Sequence, residues 1–310
     1  MTATARVLIT PRSLTAAGLD AVDDLEPLRA RGYELLGPSP GTMPTEEVLL
    51  ELLPGCVGWL AGVEPIGERL LRDAEDLQVI SRNGAGTDAI DLDAAERAGV
   101  EIVRAVGANA QGVAELVLAL VLCSLRHIVA TATALKHGEW TRVKGAELAD
   151  RRIGIVGLGA IGSRTAAAFA GLGADVRGHD PYAERAEVPV VELSELLATC
   201  DVISLSCPPA SDGRPVIDAD GLARVPQGTV LVNTARSSLV DDEAVLAALE
   251  DGRLAAYAVD AFDTEPPQPS TLLRHERVIA TPHLGGYTTT SIQRATRVAV
   301  DNLLTSLEAS

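Results

Sequence analysis

At 310 residues the chain is long enough for one large or two medium domains with a sizeable core, and 47% hydrophobic with 22% charged residues is an ordinary globular balance. A net charge of −17 at pH 7 argues against nucleic acid and anionic membranes as partners, since both would be repelled. Cys56, Cys123, Cys200 and Cys207 form no CxxC and no zinc-like cluster with the five histidines, and residues 1–10 lack the apolar core of a signal peptide, so a cytoplasmic chain with reduced thiols and no metal is expected.

Residues 1–104 alternate strand and helix signals. Strand patterns at 6–10, 33–36, 57–60, 77–81 and 100–103 are separated by helical ones at 14–31, 45–53, 67–74 and 92–98. The 14–31 segment carries Leu14, Leu19, Val22, Leu25 and Leu28 near helical spacing, and Thr45 is a candidate cap. Such alternation predicts a small doubly wound α/β domain. After the fourth strand comes Asn83-Gly84-Ala85-Gly86-Thr87-Asp88, which reads either as amides offered to an anion at a strand's carboxyl end or as a flexible βα connection. Residues 110–136 read as one long helix. It is apolar on nearly all sides, hence buried in the core or between subunits. Its longest uncharged apolar run, 116–125, is half of the ~20 residues that span a bilayer.

A short apolar strand, 153–156, then feeds into Gly157-x-Gly159-x-x-Gly162 and an alanine-rich helical pattern. The first glycine permits the tight turn, the second lets a pyrophosphate approach bare backbone, and the third lets helix and strand pack closely. Asp180 follows 18 residues past Gly162, at the end of the next strand. A carboxylate there accepts the ribose hydroxyls and repels a 2′-phosphate, so NAD rather than NADP is the cofactor expected. Further strands are expected at 201–206, ending at Cys207-Pro208-Pro209, and at 229–234, 255–261 and 278–280, with a last helix at 289–307.

Arg236, Glu265 and His283 each stand just beyond one of these later strands. Singly they read as a surface charge, a turn residue and a loop histidine. Together, at the carboxyl edge of a parallel sheet, they converge on one crevice beside the cofactor.

The stretches Asn233-Thr234-Ala235-Arg236-Ser237-Ser238-Leu239-Val240-Asp241, Asp260-x-Phe262-x-x-Glu265-Pro266 and Thr281-Pro282-His283-Leu284-Gly285 resemble the three signatures of the D-isomer-specific 2-hydroxyacid dehydrogenases. With the 83–88 loop and Gly138-Glu139-Trp140, the likeness covers essentially the whole chain and is nearest to the catalytic core of the D-3-phosphoglycerate dehydrogenases. The strand before Gly157 heads a self-sufficient βαβ series while residues 1–104 lack any dinucleotide motif, which predicts a Rossmann NAD domain, residues 105–286, inserted into a flavodoxin-like substrate domain of 1–104 and 287–310, with hinges near Val106 and Gly286; the apolar width of 113–135 and the resemblance both point to a homodimer built there. The resemblance implies His283 as acid–base, Glu265 as the partner of its other ring nitrogen, and Arg236 as the clamp on a substrate carboxylate. Gly157, Gly159, Ala160, Ile161, Gly162, Asp180, Cys207, Pro208, Thr234, Ala235, Asp260, Gly285 and Gly286 would line the NAD site, while Gly84, Ala85, Gly86 and Asn109 would face substrate.

Two departures bear on the substrate. Arg236-Ser237-Ser238 stands where the family has Arg-Gly-Gly, and Ala61-Gly62-Val63-Glu64 where phosphoglycerate-type members carry Arg-Ser-Ala-Thr. Glu64 would set a negative charge near the place of a substrate phosphate, with Arg82 the one nearby cation to offset it. The expected activity is therefore NAD-dependent interconversion of a small, monoanionic 2-oxoacid and D-2-hydroxyacid. D-3-phosphoglycerate or phosphonate-type oxidation is the alternative enzyme, and an NAD(H)-sensing corepressor-like protein the alternative from outside catalysis.

Overall fold

The computed structural model describes residues 5–16, 18–210 and 212–309. They divide into two compact units, one of the described residues up to Asn109 together with those from Thr289 onward, the other Ala110–Thr288.

The first unit holds five parallel strands, β1 Arg6–Ile9, β2 Glu34–Leu36, β3 Cys56–Ala61, β4 Val79–Arg82 and β5 Glu101–Arg104, in the order β2-β1-β3-β4-β5. That is the flavodoxin-like order. Side chains alternate between two cores. Val7, Ile9, Leu60 and Val79 meet Ala299, Val300, Leu303 and Leu304 of the amphipathic helix Thr289–Ala309. Leu8, Trp59, Ala61 and Ile80 meet Leu49, Leu70 and Ala94 from the helices Glu46–Leu52, Glu68–Asp73 and Leu92–Ala98. Both faces are covered, as a parallel sheet requires.

The single helix expected over 14–31 is not formed. The chain makes a helical turn at Arg12–Thr15, 3₁₀ turns at Leu19–Ala21 and Asp23–Leu25, and a short helix Glu26–Ala30. Gly18 sits at φ 80, and Pro27 stands at the start of the last piece, where a missing N–H costs nothing. Leu14, Leu25 and Leu28 still reach the core, so hydrophobic spacing survived the breaks.

The second unit holds β6 Arg152–Val156, β7 Asp175–His179, β8 Val202–Leu205, β9 Thr229–Asn233, β10 Leu254–Val259 and β11 Val278–Ala280, all parallel, in the order β11-β10-β9-β8-β6-β7. The order reverses between β6 and β8, the switch point at which a doubly wound sheet opens a crevice. Ile153, Ile155, Val202, Val232 and Ala258 pack on Val117 and Val121 of the helix Ala110–Leu125 and on Phe169 of the helix Ala160–Gly171. The other face, with Val156, Ile203, Leu231 and Val259, packs on Leu196 and Val245 of the helices Leu193–Thr199 and Asp242–Glu250.

The helix expected over 110–136 is two helices, Ala110–Leu125 and Ile128–Lys136, bent by 64° at a break where His127 takes φ 52. The Leu125 carbonyl, lost to the helix there, accepts the Ala146 amide at 3.0 Å instead. Burial divides at the same point, for nine residues of the first helix are buried and none of the second. Among the described residues no single helix is long and apolar enough to cross a membrane, although the bent pair passes that test together.

Candidate active site

The turn after β6 is closed by backbone. Gly157 takes φ 92, and a Cβ on it would lie 2.7 Å from the Cys207 amide nitrogen at the end of β8. A Cβ on Gly162 would fall 1.8 Å from the Gly157 carbonyl oxygen, a pass that only glycine allows. Gly159 caps the helix Ala160–Gly171 without any side-chain hydrogen bond, and a Cβ there would meet nothing within 4 Å. The first amides of that helix therefore lie beside open space, with Ala160, Ile161 and Gly162 lacking intrahelical acceptors.

Asp180, just past β7, is oriented across this turn. Its Oδ2 accepts the Leu158 amide at 2.8 Å and its Oδ1 the Tyr182 amide at 2.9 Å. At the ends of β8 and β9 the Ser206 and Thr234 hydroxyls are buried without a hydrogen-bond partner. Cys207 is partly buried, which pushes its thiol pKa up and keeps it protonated. Pro208 is exposed, and Ala235 and Gly286 are partly so. Donor amides at a helix start, an acid braced beyond the next strand and two unsatisfied hydroxyls are what a dinucleotide would engage. These residues fit NAD.

Arg236, Glu265 and His283 follow β9, β10 and β11, three consecutive strands of the sheet. Asn233, fully buried at the end of β9, shapes the first loop. Its Nδ2 donates to the Arg236 carbonyl at 2.8 Å and its Oδ1 accepts the Ala235 amide at 3.1 Å. The Arg236 guanidinium donates to the Ala235 carbonyl at 2.7 Å, and the Ser237 hydroxyl donates to the Asp263 carboxylate in the next loop. Glu265 and His283 are brought into contact, Oε1 to Nδ1 at 2.6 Å. A carboxylate there fixes the tautomer with a proton on Nδ1 and leaves Nε2 to do chemistry.

His283 stands at φ 53, in the left-handed region that non-glycine residues seldom adopt. What holds it is Asp260, 1% exposed at the end of β10. Its carboxylate accepts the Thr281 hydroxyl at 2.6 Å, the Leu284 amide at 2.7 Å and the Gly285 amide at 2.8 Å, on both sides of the histidine. A residue read from the sequence as lining the NAD site thus has both oxygens engaged within the protein. Only spacing to the Thr281-Pro282-His283 run hinted at this second role.

In the first unit the 83–88 loop lies beyond β4. The Gly84 amide, expected to face an anion, donates instead to the Arg82 carbonyl at 2.8 Å, because the chain doubles back tightly there. The Ala85 and Gly86 amides take no backbone acceptor among the described residues. Arg82 and Arg104 brace the loop through the Asn83 and Ala85 carbonyls, at 3.0 and 3.4 Å. Asn109, partly exposed, directly precedes the helix Ala110–Leu125. Glu64, expected to set a negative charge near the place of a substrate phosphate, turns inward. It is 1% exposed, drawn inward by hydrogen bonds to Thr10 and Gly62.

Residues 118–285 match the family model described as D-isomer specific 2-hydroxyacid dehydrogenase, NAD binding domain. A D-3-phosphoglycerate dehydrogenase of Methanocaldococcus jannaschii is 36% identical over 249 residues, which is 76% of this chain but 48% of that protein. A hydroxypyruvate reductase of Thermotoga maritima is 33% identical over 245 residues, 77% of this chain and 80% of its own length. The chain thus spans about half the length of that phosphoglycerate dehydrogenase. Among solved structures, a protein from Thermus thermophilus superposes with a TM-score of 0.87 at 32% identity, covering 98% of this chain and 97% of the other. A glyoxylate reductase from Paecilomyes thermophila does so at 0.86 and 27%, covering 99% and 96%.

Proposed function

We propose that this chain, which belongs to the D-isomer specific 2-hydroxyacid dehydrogenase family, interconverts a small 2-oxoacid and its D-2-hydroxyacid with NAD(H). The observation that carries the reading is the Glu265–His283 contact, set on the same sheet edge as the glycine turn and Asp180. When bound, the nicotinamide supplies or receives the hydride at the substrate carbon.

The protein's own residues do the rest. Amides at the start of the helix Ala160–Gly171 neutralise the pyrophosphate, Asp180 takes the ribose hydroxyls, and Ser206 and Thr234 gain the partners they lack. Arg236 grips the substrate carboxylate through a planar fork, which fixes the face of the carbonyl. His283 gives the proton on Nε2 to the carbonyl oxygen during reduction and takes it back during oxidation. Glu265 stabilises the ring while it is charged.

NADH oxidation with glyoxylate, pyruvate and a branched-chain 2-oxoacid tests this directly. Absence of turnover with all three, alongside NADH binding, favours a nucleotide-binding role without catalysis. Oxidation of a phosphorylated hydroxyacid is the second reading, favoured by the 36% identity to the Methanocaldococcus enzyme.

The active form we assign is a homodimer in the cytoplasm. The helix Ile128–Lys136 buries none of its residues, and Ile128, Leu135 and Trp140, 47%, 57% and 82% exposed, line a groove of about 290 Å³. A second copy covering this apolar strip explains why the chain keeps it. Sedimentation as a monomer at micromolar concentration overturns the assignment.

A further inference from the structure

The backbone that carries Arg236 is set by one buried side chain. Asn233 Nδ2 donates to the Arg236 carbonyl at 2.8 Å, and Asn233 Oδ1 accepts the Ala235 amide at 3.1 Å. The Arg236 carbonyl takes a second donor, the Leu239 amide at 3.1 Å, from the 3₁₀ turn Ser237–Leu239 that follows. If the Asn233 amide turned over, it would set N–H against N–H at Ala235 and oxygen against oxygen at Arg236. The loop is therefore only as well defined as the rotation of that amide.

A partner for the amide stands on the next strand. β10 runs parallel to β9, with Tyr257 beside Leu231 and Val259 beside Asn233. Alternate residues of a strand share a face, so Tyr257 and Asn233 are diagonal neighbours on one side of the sheet. Tyr257 is 1% exposed, in the cluster that also holds Leu231, Leu239, Val245 and Val259. Its hydroxyl shares a hydrogen bond with the Asn233 side chain. Those four cluster residues are aliphatic, and a phenylalanine among them would fill the same space with no polar atom to satisfy. Packing alone thus gives no reason for the hydroxyl. Burial pushes its pKa up, so it stays protonated and neutral around pH 7.

We infer that Tyr257 is a positioning residue for the substrate clamp, holding the Asn233 amide in the one rotation that sets the Arg236 loop. It acts from the core through another side chain and not on the substrate itself. Both links lie within the second unit, on strands β9 and β10. The inference rests on the proposed dehydrogenase reading, in which Arg236 grips the carboxylate of a 2-oxoacid. Turnover by the unaltered chain tests that reading separately.

The experiment compares the unaltered protein with Tyr257→Phe, which keeps the ring that fills the core and removes only the hydroxyl. KM and kcat are measured with whichever of glyoxylate, pyruvate and a branched-chain 2-oxoacid turns over fastest, beside NADH affinity and the urea midpoint. The expected result is a KM raised about threefold or more, with kcat and NADH affinity each within about twofold, because a loosened clamp weakens the hold on the carboxylate. A merely structural tyrosine lowers the urea midpoint and leaves KM within about twofold, and that result overturns the inference. So does a loss of NADH affinity equal to the change in KM, which marks a general loosening of the sheet edge. Absence of turnover with all three 2-oxoacids in the unaltered chain overturns the dehydrogenase reading, and the inference falls with it.

Discussion

His283 Nδ1 and Glu265 Oε1 meet at 2.6 Å although the histidine backbone stands in the left-handed region at φ 53. That backbone setting is held by the Asp260 carboxylate, which accepts from Thr281 before the histidine and from Leu284 and Gly285 after it. His283→Gln is expected to lower kcat by ~10²–10⁴-fold, the usual worth of a positioned acid, while NADH affinity stays within about twofold. Glu265→Gln keeps a hydrogen bond but not the charge, and a loss of ~10-fold or more in kcat is expected. Single-turnover rates and NADH fluorescence titrations check both. Near-full activity in His283→Gln shows that another group is the acid.

Asp260 is the support on which that geometry depends. Its two oxygens receive three donors from Thr281, Leu284 and Gly285, and an amide in its place offers one oxygen and an NH₂ that faces N–H groups. Even Asp260→Asn is therefore expected to leave a buried donor opposed, at a cost of about 1–3 kcal/mol in stability, and to lower kcat by ~10-fold or more through misplacement of His283. Urea midpoints and kcat measure the two effects. Loss of NADH affinity with kcat unchanged instead marks Asp260 as a cofactor contact alone.

Much of this was legible in the sequence because the chemistry sits at strand ends and each end is announced locally. The glycines at 157, 159 and 162 follow an apolar run directly, and Arg236, Glu265 and His283 each follow a strand pattern. What could not be read were relations between distant segments. Glu64 turns inward because Thr10 waits 54 residues earlier, just past the end of the neighbouring strand. Asp260 braces a loop 21 to 25 residues later. The bend at His127 carries no proline or glycine to mark it, whereas Gly18 and Pro27 did mark the breaks in 14–31 and were outweighed by hydrophobic spacing.

The glycine turn offers a paired test of cofactor binding. Gly162→Ala places a methyl 1.8 Å from a carbonyl oxygen of the backbone, so a lowered Tm and lost NADH affinity are expected together. Gly159→Ala adds its methyl where nothing lies within 4 Å, so the fold is expected to be as stable as before. Any NADH affinity lost by Gly159→Ala then reports the approach of the pyrophosphate itself. Unchanged affinity in that variant removes the turn from the cofactor site. Asp180→Ala, which takes away the acid held by Leu158 and Tyr182, is expected to narrow the preference for NAD over NADP by ~10-fold or more.

Alkaline stability follows from Cys56 at the start of β3. The residue is fully buried, its Sγ donates to the Leu52 carbonyl at 3.2 Å, and burial pushes its thiol pKa up to about 11, with Arg6 opposing the shift and Glu34 and Asp76 adding to it. The thiol is neutral when protonated, and in the unfolded chain it gives up its proton near 9.0. Between these values the unfolded state binds fewer protons than the folded one. The slope of unfolding free energy with pH is then negative, so the stabilisation present below about pH 9 is lost as pH rises toward about 11. Cys56→Ala removes this titration while costing a pH-independent packing loss. Urea midpoints at about pH 8 and about pH 10 are therefore expected to fall further apart in the parent than in Cys56→Ala. An equal fall in both proteins would assign the alkaline loss to other groups.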